Sequence, residues 1–176
     1  MSHTAMQLLI KDVRGQPQGP HLKWLADWEA NGPSGWTYWN IYNMPRLSLF
    51  EQAVSDCARG PHGAGLGLYV ETSDWGYIVG AGPTGIAARL LINPDLAKES
   101  SDGAWALDRV IVRAGTEAWD ILAAEELAAW SEVAPRRASA DEVLGVIRHR
   151  GFAEDGVKAL RQLVGLPPPP IHPVGS

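Results

Sequence analysis

The spacing of apolar residues along this chain changes several times, and each change marks an element. Met6 to Val13 (MQLLIKDV) is a short apolar run that reads as a first strand, closed by the turn-rich stretch Gly15 to Pro20. From about His21 to Ala30 the spacing turns helical: Leu22 and Leu25 share a face with the Trp24–Trp28 pair, and Asn31-Gly32-Pro33 supplies the stop. Trp36 to Asn43 (WTYWNIYN) alternates as a strand does, with Trp36, Tyr38 and Tyr42 on one face and Trp39 and Ile41 on the other. Large side chains on both sides imply that both faces are covered.

Ser48-Leu49-Phe50-Glu51 has the capping-box form, in which the Ser hydroxyl accepts a first-turn N–H and Glu51 reaches back. The helix it opens carries Phe50, Ala53, Val54, Cys57 and Ala58 on one face and ends at Gly60-Pro61. From Leu66 to Ile92, three apolar runs are separated by Ser73-Asp74 and by Gly82-Pro83-Thr84-Gly85, the pattern of an antiparallel meander. Ala104 to Ala114 has no clear period, although Val110-Ile111-Val112 favours strand. Three helices follow at about Glu117–Val133, Ala140–Arg150 and Ala153–Val164. The second opens on a capping box at Ser139-Ala-Asp-Glu142, and Gly151 and Gly165 take the places of C′ glycines. The expectation is one α+β domain over residues 1–166, an antiparallel or mixed sheet with a central meander, covered by helices, with a C-terminal three-helix segment. A Pro-rich tail spans 167–176.

Composition narrows the function classes. A length of 176 residues suits one domain, and 45% apolar with 20% charged residues is ordinary for a folded chain. A net charge of −5 and a pI near 5.5 argue against general nucleic-acid or anionic-membrane binding and favour a basic protein or a small molecule as partner. The single cysteine, Cys57, forms no internal disulfide, no signal-peptide pattern opens the chain, and no apolar run approaches the roughly 20 residues that span a bilayer. A cytoplasmic location without a membrane segment is the expectation. Eight Trp against two Phe is an unusual ratio, useful both in cores and at interfaces.

Tyr77-Ile-Val-Gly80-Ala-Gly82-Pro-Thr-Gly85-Ile-Ala-Ala-Arg89 resembles the phosphate-binding fingerprint of flavin-dependent monooxygenases and other FAD/NAD Rossmann proteins, with Gly80, Gly82 and Gly85 in the three glycine positions. That resemblance implies a cofactor pyrophosphate at the turn. The fingerprint also requires a crossover helix and a second strand with an acidic end, whereas Asn93-Pro94 interrupts the following segment after about two helical turns. A hairpin turn between two apolar strands accounts for the same residues with no cofactor.

Cys57 and His62 are a thiol and a base five residues apart. The thiol, however, sits in the last turn and on the apolar face of its helix, where dipole and burial both oppose a thiolate. It reads as a core residue. The five histidines show no metal-ligand spacing, so no metal is expected. Five acids between Thr116 and Ala134 (Glu117, Asp120, Glu125, Glu126, Glu132) form an outer face over Trp119, Leu122, Leu127 and Trp130 at core spacing. Val143, Leu144, Ile147, Leu160 and Leu163 are further core candidates.

Arg148-His149-Arg150-Gly151-Phe152 at the junction of the last two helices resembles the Gly-Phe turn of a ubiquitin-associated domain, and the pair also reads as a helix-turn-helix. The longer layout, from the helix at Ser48 through the meander to Phe152-Ala-Glu-Asp and Leu163-Val-Gly-Leu-Pro167, resembles small α+β proteins of actinobacteria of the conflict-system or immunity accessory type. A non-enzymatic protein-binding module, an immunity-type inhibitor or adaptor with no cofactor, fits best, because the chain is small, acidic, rich in Trp and without a recognisable catalytic constellation. The expected binding residues are Trp36, Tyr38, Trp39 and Tyr42 with Asp74 and Trp75 at the neighbouring turn, because rigid aromatic rings anchor interfaces. The rival readings are a small flavin- or nucleotide-binding oxidoreductase built on Gly80 to Gly85, and a DNA-binding regulator.

Overall fold

The computed structural model describes residues 4–11, 25–31, 35–41, 44–59, 63–112 and 118–167. Six strands form one sheet, β1 (Thr4–Lys11), β2 (Leu25–Asn31), β3 (Trp36–Ile41), β4 (Ala64–Glu71), β5 (Trp75–Gly82) and β6 (Gly85–Ile92), in the order β2-β3-β1-β4-β5-β6. Among the described residues every neighbouring pair is antiparallel. The meander β4-β5-β6 forms as its alternating runs dictate. β1 lies between β3 and β4, pairing Leu9 with Tyr38 on one side and with Leu66 on the other.

Helices cover both faces. On one face α1 (Leu47–Ala58), α2 (Pro94–Ala97), α3 (Ser101–Leu107) and a π-helical turn at Asp108–Val112 enclose a core that includes Leu8, Ile10, Trp39, Phe50, Tyr69, Trp75 and Tyr77. On the other, α4 (Trp119–Trp130), α5 (Ala140–Ile147) and α6 (Ala153–Leu163) enclose Leu9, Trp36, Tyr38, Leu66, Ile78, Leu90, Leu127 and Leu160. With two covering layers, β4 and β5 are buried along nearly their whole length, which is why their sequences are near-continuous apolar runs. The fold is α+β, an antiparallel sheet covered by helices with a three-helix C-terminal segment.

Four local expectations are corrected. The helix expected over His21 to Ala30 is instead strand from Leu25 to Asn31, paired irregularly to β3; residues 21–24 lie outside the described residues. Cross-strand pairing of Leu25 and of Glu29 to Asn31 with β3 overrides the helical spacing read there. The strand favoured for Val110 to Val112 is the π-helical turn. The capping box at Ser48 is not formed: the helix already begins at Leu47, whose N–H is met by Asp102 Oδ1 at 3.1 Å, and Glu51 points into the protein. Leu122, expected in the core, is 40% exposed, because Ala123 and Ala124 face the sheet instead.

The capping box at Ser139 does form, with both reciprocal hydrogen bonds at 3.1 Å. Gly165 follows the α6 cap residue Val164 with φ +80, a left-handed C′ glycine, while Gly151, with φ +142, stands three residues beyond the α5 cap residue Arg148.

Candidate functional site

Among the six residues expected to bind a partner, four are core. Trp36 and Tyr38 are 2% and 3% exposed and pack towards α4–α6, where the Trp36 ring meets Trp130 edge-on at 6.2 Å. Trp39 and Trp75, 6% and 2% exposed, belong to the opposite core. Trp75 Nε1 donates to Glu71 Oε2 at 2.7 Å, and that oxygen also accepts from Ser100 Oγ at 2.9 Å, so the polar groups beside the turn brace it. Tyr42 lies outside the described residues. The aromatic run is therefore not an exposed anchor: a sheet covered on both faces consumes alternating rings from both sides of one strand. Of the five that are described, only Asp74 is exposed.

The three glycines of the cofactor fingerprint sit at the β5-β6 hairpin. Gly82 pairs with Gly85 across Pro83-Thr84, and Gly85, with φ +121, opens a strand where the fingerprint needs a helix. A two-residue connection with Pro at its first position followed by a positive-φ glycine is an ordinary hairpin turn. The geometry thus corrects the nucleotide-cradle reading of Gly80, Gly82 and Gly85. Cys57 is half-buried against the α1–α3 core, and burial, with the adjacent Asp56 charge, pushes its thiol up to about 11. His62 lies outside the described residues.

Two other places concentrate irregular geometry. The first is the junction of the β4-β5 turn, α2 and the α5–α6 connection. Thr72, Ser73 and Asn93 are the three non-glycine residues with positive φ among the described residues (53, 64 and 53°), and all three stand here beside Gly151. Asn93 Nδ2 donates to Asp74 O at 2.9 Å and to Gly151 O at 2.8 Å, joining turn to connection. Ser73 O accepts from Ala153 N at 3.0 Å, and Ser73 Oγ donates to Glu154, so the turn also caps α6. Between Gly151 and Ala153 this bracing presents Phe152, 68% exposed. The exposed residues Arg148, His149 and Arg150 precede it, Arg148 pairing with Asp120 at 3.1 Å.

The second is a cleft of about 330 Å³ beside the outer edge of β6, between the π-helical turn and α4. Gly80 pairs with Ala88 and Ala81 with Ile86, which leaves Ala87 as a β-bulge lining the cleft next to Ile86 and Arg89. Beneath it, Glu51 Oε1 accepts from Tyr77 Oη at 2.7 Å and from Arg89 Nε at 2.5 Å. Burial first, and then the Glu51 charge, push the Tyr77 phenol well above its ordinary range. Burial alone would lower Arg89, but the hydrogen bond and charge of Glu51 outweigh it and hold the guanidinium above its usual value. The sequence concealed this triad because its members lie on α1, β5 and β6, and Glu51 reads locally as a capping residue.

Among the described residues no group of three or more His, Cys, Asp or Glu is placed to hold a metal ion, and no helix is long and apolar enough to cross a membrane. In comparison with known proteins, no family model, no curated protein and no solved structure matches this chain.

Proposed function

We propose that the chain is a non-enzymatic protein-binding module, an inhibitor or adaptor of the immunity type, and that Phe152 is its anchor. The observation that carries this reading is a large aromatic side chain, 68% exposed, held on the junction where the three positive-φ non-glycine residues converge. Left-handed backbone costs of order 1 kcal/mol or more at non-glycine residues, most at a β-branched residue such as Thr72, and it persists only where surrounding contacts fix it. Here those contacts fix the backbone on either side of an aromatic residue that the protein itself does not bury. A preorganised ring loses little entropy on docking, which is the property of an interface anchor. The fitting partner surface is an apolar pocket, and the net charge of −5 steers a basic protein towards the molecule.

The test compares Phe152→Ala with the parent chain as baits in the cells from which the protein comes, followed by binding measurements on the recovered partner. An anchor of this kind contributes about 2 kcal/mol or more, so the variant should bind at least tenfold more weakly with its melting temperature nearly unchanged. Equal affinity of both baits for the same partner would remove Phe152 from the interface.

A further inference from the structure

We propose that the cleft beside β6 is a separate binding site for a small amphipathic monocarboxylate, with its apolar body against Ile86, Val110 and Leu122 and its carboxylate between Arg89 and Arg109. Ligand sites are concave and set a few fixed polar groups against apolar side chains; at about 330 Å³ this cleft is near the lower end of their usual range. Its apolar lining is drawn from three elements, Ile86 on β6, Val110 on the π-helical turn, and Trp119 and Leu122 on α4.

The two guanidinium groups enter from different walls, and each is held. Arg89 is fixed through Nε by Glu51, which is itself fixed by Tyr77, so the fork cannot swing away as a surface arginine does. Arg109 lies over the Trp105 ring, 5.3 Å from guanidinium carbon to ring centroid, a contact that orients its plane. Two irregularities place these groups: the bulge at Ala87 brings Ile86, Ala87 and Arg89 to one cleft, and the π-helical turn carries Arg109 and Val110. Glu51 balances one of the two positive charges. The acid of the lining itself, Glu126, is engaged in an interaction of its own. What the cleft offers an anion is two held guanidinium groups on different walls, suited to the two oxygens of a carboxylate.

The structural alternative is that Arg89–Glu51 is only a buried brace and Arg109 only a solvated charge, in which case an acid and its amide would bind alike. Titrating the ¹⁵N-labelled full chain with phenylacetate, phenylacetamide and phenethylamine, and following the indole N–H signals, separates the two. Phenylacetate should shift the Trp119 and Trp105 signals in a saturable way, with the amide at least tenfold weaker and the amine without effect. Arg109→Gln, a change at an exposed side chain, should bring phenylacetate down to the amide's level, while Phe152→Ala leaves it unchanged. Equal binding of acid and amide, preference for the amine, or no saturable shift with any of them overturns the proposal. Because Phe152 lies elsewhere, each of these results leaves the protein-binding reading standing.

Discussion

Gly80 lies against the face of Trp130: a Cβ built on Gly80 would meet the indole Cγ at 2.9 Å and two further ring atoms at 3.0 Å. The same indole donates from Nε1 to Ala81 O at 3.0 Å, so α4 is locked onto β5 by a ring that only a glycine admits. Gly80→Ala should therefore cost about 1–3 kcal/mol through overpacking. Gly82, with nothing within 4 Å of its would-be Cβ, should tolerate alanine within about 0.5 kcal/mol. Denaturant midpoints of the two variants check this, and equal losses would show that the glycines serve something other than the packing of Trp130.

That contact also shows where local reading stops. The meander was legible because each strand is bounded by its own turn residues, and the alternation of Trp36, Tyr38, Trp39 and Ile41 gave their faces correctly. Whether those faces meet water depends on helices far away in sequence, so the rings taken as anchors are core. In β2 the spacing reads as helical, with Asn31-Gly32-Pro33 as its stop, and only pairing with β3 decides for strand. Glu51 satisfied a local capping rule, but Tyr77 and Arg89 offered it a buried site. The Gly151-Phe152 junction was visible in the sequence. Its exposure and its bracing by Asn93 and Ser73 were not.

Cys57 supplies a pH-dependent term whose sign is fixed. Its thiol, ordinarily near 9, is pushed up to about 11 by burial and by Asp56, so the folded chain holds this proton more tightly than the unfolded one. The stabilisation is fully present below pH 9 and is lost as the pH rises towards 11. Cys57→Ala should remove that part of the alkaline decline, so parent and variant stabilities measured across this interval should converge as the pH rises. The native thiol should also react slowly with iodoacetamide at neutral pH, and rapid labelling would contradict the assignment.

The Glu51–Arg89 pair joins α1 to the edge strand, with side chains 12% and 21% exposed. Both charges have left most of their water, so removing one leaves the other uncompensated, and for a fully buried pair the loss is about 3–5 kcal/mol. Partial exposure of Arg89 places Arg89→Met and Glu51→Leu towards the lower end of that range. Replacing both together removes the uncompensated charge and leaves only the Tyr77 hydroxyl without its acceptor, so the double variant should be more stable than either single one, with a favourable coupling measurable in a double-mutant cycle by urea denaturation. Singles that each lose less than about 0.5 kcal/mol would mark the pair as an exposed surface bridge. The double variant also separates stability from recognition: it should fold, yet bind phenylacetate more weakly than the parent chain, because the brace has been replaced while one arm of the carboxylate fork is gone. A double variant with unchanged phenylacetate affinity would leave Arg109 as the sole recognising group and confine Glu51 and Arg89 to holding α1 against the sheet.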